Sequence, residues 1–191
     1  MIYTSPLAAV VSALAADGID NTAKQAWQKL YAAGSAEPGS LALLIRSSRA
    51  ELPRGFVDAL LQARLRHQLK PRFWNALVAR YSTDRAKKVQ AIGALVPVIA
   101  SHAPRLFVYK AVTAWAIPPL KGVQGKRSTD MIILPPEFYD VNAWDPGANN
   151  ERTRRRWRKG IHDTLDELTK YALLEVEQIL LAEDLLFDEA A

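Results

Sequence analysis

The sequence predicts an all-α protein, a compact multi-helix domain that ends in an amphipathic, acidic helix. Three observations carry this expectation. Apolar residues recur at three- and four-residue spacing in nearly every segment of the 191-residue chain, the period of a helix with one face in a core. Pro, Gly, Ser, Thr and Asn punctuate those segments where helices start and stop. The one strand-like run, Met131–Leu134, finds no second strand-like segment to pair with.

The elements follow in order. Ser5 before Pro6 is an N-cap with proline at the first helical position, and Asp17-Gly18 provides a stop. A second helix is expected from Thr22 to Ala33, with Ala26, Trp27, Leu30 and Tyr31 on one face and Gly34 ending it. Ser35–Ser40 reads as a loop and Leu41–Ile45 as the start of another short helix. Pro53 to Leu69 fits a longer helix with Phe56, Leu60, Leu61 and Leu65 as its stripe, closed by Pro71. Phe73–Tyr81 and Asp84–Ser101 form a helix pair joined at Ser82-Thr83, with Thr83 as N-cap and Pro97 as a kink.

The next helix covers Pro104 to Ala116, with Leu106, Tyr109, Val112 and Trp115 facing the core and Pro118-Pro119 ending it. Glu137–Trp144 is a poor helix after Pro135-Pro136. Asp145-Pro-Gly-Ala-Asn-Asn150 combines turn formers with an N-cap at Asn149 or Asn150. The helix that it opens continues to about Thr169 or on into the Leu-rich tail. Residues 1–145 are thus expected as a helical body, 146–170 as a recognition helix and 171–191 as an acidic tail.

Composition narrows the chemistry. With no cysteine, the chain has no disulfide, thiol nucleophile or Cys-based metal site. His67, His102 and His162 lie in separate segments, so no metal or cofactor site is expected. No apolar run approaches the roughly 18 residues of a membrane span. No basic segment precedes the first apolar stretch, so no secretory signal is expected and the location is expected to be cytoplasmic.

The net charge of +5 conceals a division. Residues before Asp163 carry 24 basic and 11 acidic side chains, whereas the remainder carries nine acidic residues and only Lys170 as a cation. Arg46–Lys88 holds eleven basic residues, spread as on an ordinary solvated face. Arg152-Thr-Arg-Arg-Arg-Trp-Arg-Lys159 packs six cations into eight residues, a density that favours a polyanionic ligand.

On a helical wheel Ile161, Leu165 and Leu168 fall within about 80° of Trp157. Arg152, Arg155 and Lys159 lie on the far side, and Arg156 and Arg158 flank the stripe. One face is therefore expected to anchor in a core while the other presents guanidinium groups, whose planar forks match phosphate or guanine edges. Asn150-Glu-Arg-Thr-Arg-Arg-Arg-Trp-Arg158 resembles the recognition-helix pattern of phage and transposon helix-turn-helix proteins. It is most similar to the C-terminal end of phage late-gene transcription regulators, the antiterminator-Q and ArpU/RinA-like groups, over about twenty residues.

The resemblance implies a helix-turn-helix-like unit and sequence-specific binding of double-stranded DNA. It implies that Asn150 caps the helix, Arg152, Arg155, Arg156 and Lys159 face DNA, Thr153 meets backbone phosphate and Trp157 anchors the core. Arg154 and Arg158 belong to the same expected surface. The segment before Asn150 departs from the pattern, since a standard motif joins its helices by three or four residues. Pro104–Ala116 is the expected support in its place. Phe73–Lys88 is a second helix-turn-helix candidate, read more readily as core packing.

Further phosphate contacts are expected from Arg85, Lys87, Lys88, Lys121, Lys126 and Arg127. Lys121–Ser128 fails as a nucleotide loop because its glycines are three apart and Arg127 separates Lys126 from Ser128. His162 beside Asp163 and Asp166 reads as an ion pair, and Glu137, Asp140 and Asp145 as a weak carboxylate cluster for magnesium. The tail, Tyr171–Phe187, has more apolar positions than one narrow face needs. It is expected either to pack on its own domain or to form a homodimer or partner surface.

The expected function is that of a non-enzymatic, phage-type transcription regulator, a late-gene activator or antiterminator, with DNA and RNA polymerase or another transcription protein as partners. The alternatives are a helical adaptor for an acidic protein and a DNA-packaging or recombination accessory protein.

Overall fold

The computed structural model describes residues 2–15, 53–119, 132–145, 147 and 150–186. The expected helices at 22–33 and 41–45, the 35–40 loop and the stop at Asp17-Gly18 lie outside them. So do Met131 of the strand-like run and the phosphate contacts Lys121, Lys126 and Arg127. The described elements are α-helical: α1 (Pro6–Ala15), α2 (Arg54–Gln68), α3 (Pro71–Tyr81), α4 (Arg85–Leu95), α5 (Arg105–Ala116) and α6 (Glu151–Ala182). Short 3-10 turns occupy Val96–Val98, Pro136–Tyr139 and Val141–Ala143. Extended pairing among the described residues is one isolated bridge between Tyr3 and Leu186.

The chain divides into two compact units, Met1–Trp74 with Tyr171–Ala191, and Asn75–Lys170. Both boundaries fall inside helices, α3 and α6. The basic start of α6 belongs to the second unit and the acidic tail to the first.

In the first unit, the Ser5 hydroxyl accepts a hydrogen bond from the Ala8 amide at 3.2 Å, so the Ser-Pro pair starts α1 as its chemistry predicts. Ala9, Val10, Ala13 and Leu14 form its buried face. Helix α2 buries Val57, Leu60, Leu61 and Leu65. Phe56, expected in that stripe, is only half-buried, because the inward face begins one residue later. Leu69 ends the helix in an extended conformation, and Pro71 opens α3 as well as closing α2.

Two buried polar groups organise this unit. Asp58 accepts from the Tyr3 hydroxyl at 2.6 Å and from the Ser12 hydroxyl at 2.8 Å. Burial, with the adjacent Asp58 carboxylate, pushes the Tyr3 phenol well above its ordinary value. Arg64 pairs with Glu183 at 3.1 Å, with side chains only 3% and 2% exposed. The end of α6 turns through Asp184, whose φ of 53° is left-handed, and the Leu185 amide donates back to the Leu180 carbonyl at 2.9 Å. Ala172, Val176, Leu180 and Leu185 of the tail are buried, while Tyr171, Leu174 and Leu181 are exposed.

In the second unit, α4 is capped by Asp84 and not by the expected Thr83. The Asp84 carboxylate accepts from the Lys87 amide at 3.0 Å, and the Ser82 hydroxyl accepts from the Asp84 amide at 3.1 Å. The helix stops at Leu95 and a 3-10 turn holds Pro97, which has no amide to continue the ladder. The expected kink is a terminus.

Helix α5 has its expected bounds within one residue, and of the four residues expected to face the core Val112 and Trp115 do so, whereas the other two do not. Leu106 and Tyr109 are 56% and 43% exposed, while Phe107, Val108, Ala111, Val112, Ala114 and Trp115 are buried. The run is apolar nearly all round, so periodicity does not choose a face. Alanines at 111 and 114 allow close packing on the side that does become buried.

Candidate nucleic-acid interface

The start of α6 is set by Asn150, whose side-chain oxygen accepts from the Thr153 amide at 2.9 Å. Its first turns rest on α5 and on the residues around Trp144. Trp157, half-buried, meets the ring of Phe107 edge-on at 5.6 Å between centroids and 75° between planes. Phe107 meets Trp144 in the same way at 5.3 Å, and the Trp144 indole donates to the Phe138 carbonyl at 2.5 Å. Further along, Ile161 and Leu165 are buried. The Trp115 indole donates to the Asp166 carboxylate at 2.7 Å, and the His162 ring lies 3.1 Å from the Ala111 carbonyl.

Helix α5 is therefore the support for this segment. The two helices are separated in sequence by residues 117–150, far more than the short turn of a standard motif. Glu137–Trp144 forms two 3-10 turns and no α-helix, as its prolines predict.

Six cations diverge from this anchored helix with different fates. Arg152 and Arg156 are exposed and make no hydrogen bond or ion pair among the described residues. Arg155 pairs with Glu151 at 2.5 Å and Lys159 with Asp163 at 2.8 Å, each one helical turn apart. Their side chains are 73% and 78% exposed, so solvent screens both pairs and a phosphate can compete for either cation. Asp163 raises the Lys159 ammonium above its ordinary value. Arg158 is half-buried, with its guanidinium carbon 5.8 Å from the centre of the Trp144 ring.

Arg154 departs from the expected outward role. Its guanidinium donates to the Asn142 side chain at 3.3 Å and to the Gly147 carbonyl at 3.0 Å, with Nε buried. It ties the preceding loop to the helix start, because its position on the wheel faces that loop. Thr153 is half-buried in the same turn.

The second group of expected phosphate contacts is also split. Arg85 is exposed at the start of α4, and Lys87 is half-buried there. Lys88 turns inward: its ammonium donates to the carbonyls of Ala79 at 2.8 Å, Arg80 at 3.2 Å and Ala116 at 3.5 Å. Arg80 donates to the Trp115 carbonyl while its guanidinium stacks on the Trp115 ring. These two cations satisfy the C-terminal carbonyls of α3 and α5, where the helix dipoles favour positive charge. Burial, with the Arg80 charge nearby, lowers the Lys88 ammonium to about 8. Lys88 is a structural cap and not a phosphate contact.

The acidic candidates disperse. His162 forms no ion pair with Asp163 or Asp166, which are taken by Lys159 and Trp115. Burial, reinforced by Arg158, lowers the His162 ring below its ordinary value. Asp140 accepts from the Asn142 amide at 3.0 Å, and Asp145, itself buried, accepts from the Gly147 amide at 3.0 Å. The described residues hold no cluster of His, Asp and Glu suited to a metal ion.

Sequence reasoning missed an open cavity of about 430 Å³ beside the helix start, lined by Tyr139, Asp140, Asn142, Glu151, Arg155 and Arg158. The Tyr139 hydroxyl donates to the Ile117 carbonyl at 2.7 Å, and burial raises its phenol. The local signal was the Asp-x-Asn turn at 140–142, which places these side chains opposite the first two turns of α6.

No protein-family model, curated protein or solved structure matches this chain. Among the described residues, no helix is long and apolar enough to cross a membrane.

Proposed function

We propose that this protein binds double-stranded DNA through the first two turns of α6 and acts as a phage-type transcription regulator, a late-gene activator or antiterminator. The observation that carries the reading is the pairing of opposite faces on one helix. Trp157, Ile161 and Leu165 fasten it to the second unit, while Arg152 and Arg156 stand exposed without a partner among the described residues. An unpaired guanidinium gains most from a phosphate or a base edge, because no internal ion pair has to be broken first. Phosphate neutralisation supplies affinity in this reading and Arg contacts to bases supply sequence preference. The likeness of Asn150–Arg158 to recognition helices of phage late-gene regulators points the same way. The reading places the protein in the cytoplasm, with RNA polymerase or another transcription protein as partner.

Selection of duplex oligonucleotides from a random pool, followed by anisotropy titration of the winner against scrambled DNA, tests the reading. A preferred sequence bound at least about a thousandfold more tightly than scrambled duplex is the expected outcome. Equal affinity for all duplexes removes the regulator reading. Binding that vanishes at moderate salt, together with capture of an acidic protein surface, favours an adaptor.

A further inference from the structure

The cavity beside α6 has a lining that a purely anionic or purely apolar ligand does not match. Two guanidiniums, Arg155 and Arg158, lie one turn apart on its helical wall, and two carboxylates, Asp140 and Glu151, share the same space. Glu151 already holds Arg155 at 2.5 Å. Arg158 has no hydrogen bond or ion pair among the described residues, although it is half-buried, with its guanidinium carbon over the Trp144 ring at 5.8 Å from the centre. The ring attracts this guanidinium while leaving its N–H donors still to be used. Asn142 gives its side-chain oxygen to Arg154, which leaves the amide NH2 as a further donor at the rim. Tyr139, its hydroxyl held by Ile117, adds an aromatic wall.

We propose that this cavity binds a nucleoside monophosphate unit whose base carries an N–H donor edge, guanine above all. The phosphate would take Arg158 and the Asn142 amide, and a carboxylate of Asp140 or Glu151 would take the base. Guanine offers adjacent N1–H and N2–H donors that fit the two oxygens of one carboxylate, whereas uracil offers a single N3–H between two carbonyls that repel it. The volume falls within the ordinary range for small-ligand sites, about 300–1,000 Å³. The unit has two sources, a free nucleotide or an unstacked nucleotide at the end of a bound strand. The inference extends the DNA-binding reading but fails separately from it, since Arg152 and Arg156 do not line the cavity.

Calorimetric titration of the full chain with GMP, UMP and inorganic phosphate, each at about millimolar concentration, tests it. GMP is expected to bind, UMP at least about tenfold more weakly, and phosphate more weakly still. Arg158→Leu and, as an exposed and milder change, Asn142→Ala each weaken GMP, while Arg152→Ala leaves GMP unchanged and weakens duplex DNA. Hairpin duplexes with and without one unpaired terminal guanosine separate the sources: a gain from the overhang assigns the strand, and GMP binding without that gain assigns the free nucleotide. Either result supports the site. Absence of GMP binding, equal binding of UMP or of phosphate alone, or GMP binding untouched by both cavity variants overturns it. Loss of duplex binding with GMP binding intact instead rejects only the DNA reading.

Discussion

The edge of the Trp157 ring meets Phe107 at 5.6 Å, and through that contact the cationic start of α6 is fastened to α5. Phe107 is fully buried and also meets Trp144, so three aromatic rings share one junction. Six cations in two turns repel one another, and the apolar junction must offset that repulsion.

Trp157→Ala should therefore destabilise the protein by about 2–4 kcal/mol, toward the lower end because the indole is only half-buried. Trp157→Phe should recover most of the loss. Urea denaturation followed by circular dichroism checks both, and a change below about 0.5 kcal/mol for the alanine variant would show that the junction does not hold the helix.

Much of this arrangement was legible in the sequence. Ser5-Pro6 and Asn150 start their helices because each places a side-chain acceptor one turn before free amides. The pairs Glu151–Arg155 and Lys159–Asp163 sit at the four-residue spacing that joins helical neighbours, but Arg155 and Lys159 were expected to face DNA, and Asp163 to pair with His162. The inward face of α5 was only half legible: Val112 and Trp115 are buried as expected, but Leu106 and Tyr109 compete with Phe107 and two alanines on a helix apolar on most sides. The roles of Arg154 and Lys88 were hidden for another reason. Their acceptors are a loop carbonyl and amide, and the ends of two helices, none of which has a sequence signature.

Arg64 and Glu183 make an ion pair shut away from solvent in the first unit. Removing either side chain takes a buried ion pair from the other, so Arg64→Ala or Glu183→Ala should each cost about 3–5 kcal/mol. The double replacement Arg64→Met with Glu183→Leu should cost much less than the sum of the two single losses, because both desolvation penalties disappear together. Thermal melts of the three variants check this, and strict additivity would show that the two side chains do not act as a pair.

His162 is held against the Ala111 carbonyl, and burial, with Arg158 nearby, lowers its folded-state affinity for protons below the ordinary 6.5. The unfolded chain thus binds more protons than the folded one as pH falls through 6.5, and the folded state loses stability there. That contribution is complete above pH 6.5 and is lost as pH falls toward the folded value. His162→Gln should flatten this segment of the stability profile, measured by urea denaturation across about pH 5.5–7.5, roughly one unit on either side of 6.5. An unchanged profile would place the acid sensitivity elsewhere.

Arg156 and Arg154 are two residues apart and face opposite fates, which makes them a matched pair for testing the DNA reading. Arg156 is exposed and unpaired among the described residues, whereas Arg154 holds Asn142 and Gly147. If Arg156 reads a base, Arg156→Ala should weaken the preferred duplex by about 1–3 kcal/mol and scrambled duplex by less. If it meets phosphate, both duplexes should weaken alike and the slope of log affinity against log salt should fall by about 0.9. Arg154→Ala should leave that slope unchanged and act instead on stability, by loosening the loop that leads into the helix. Anisotropy titrations over a salt series separate these outcomes. A slope that falls with Arg154→Ala and not with Arg156→Ala would place the DNA on the loop side of α6, opposite to the face assigned to it.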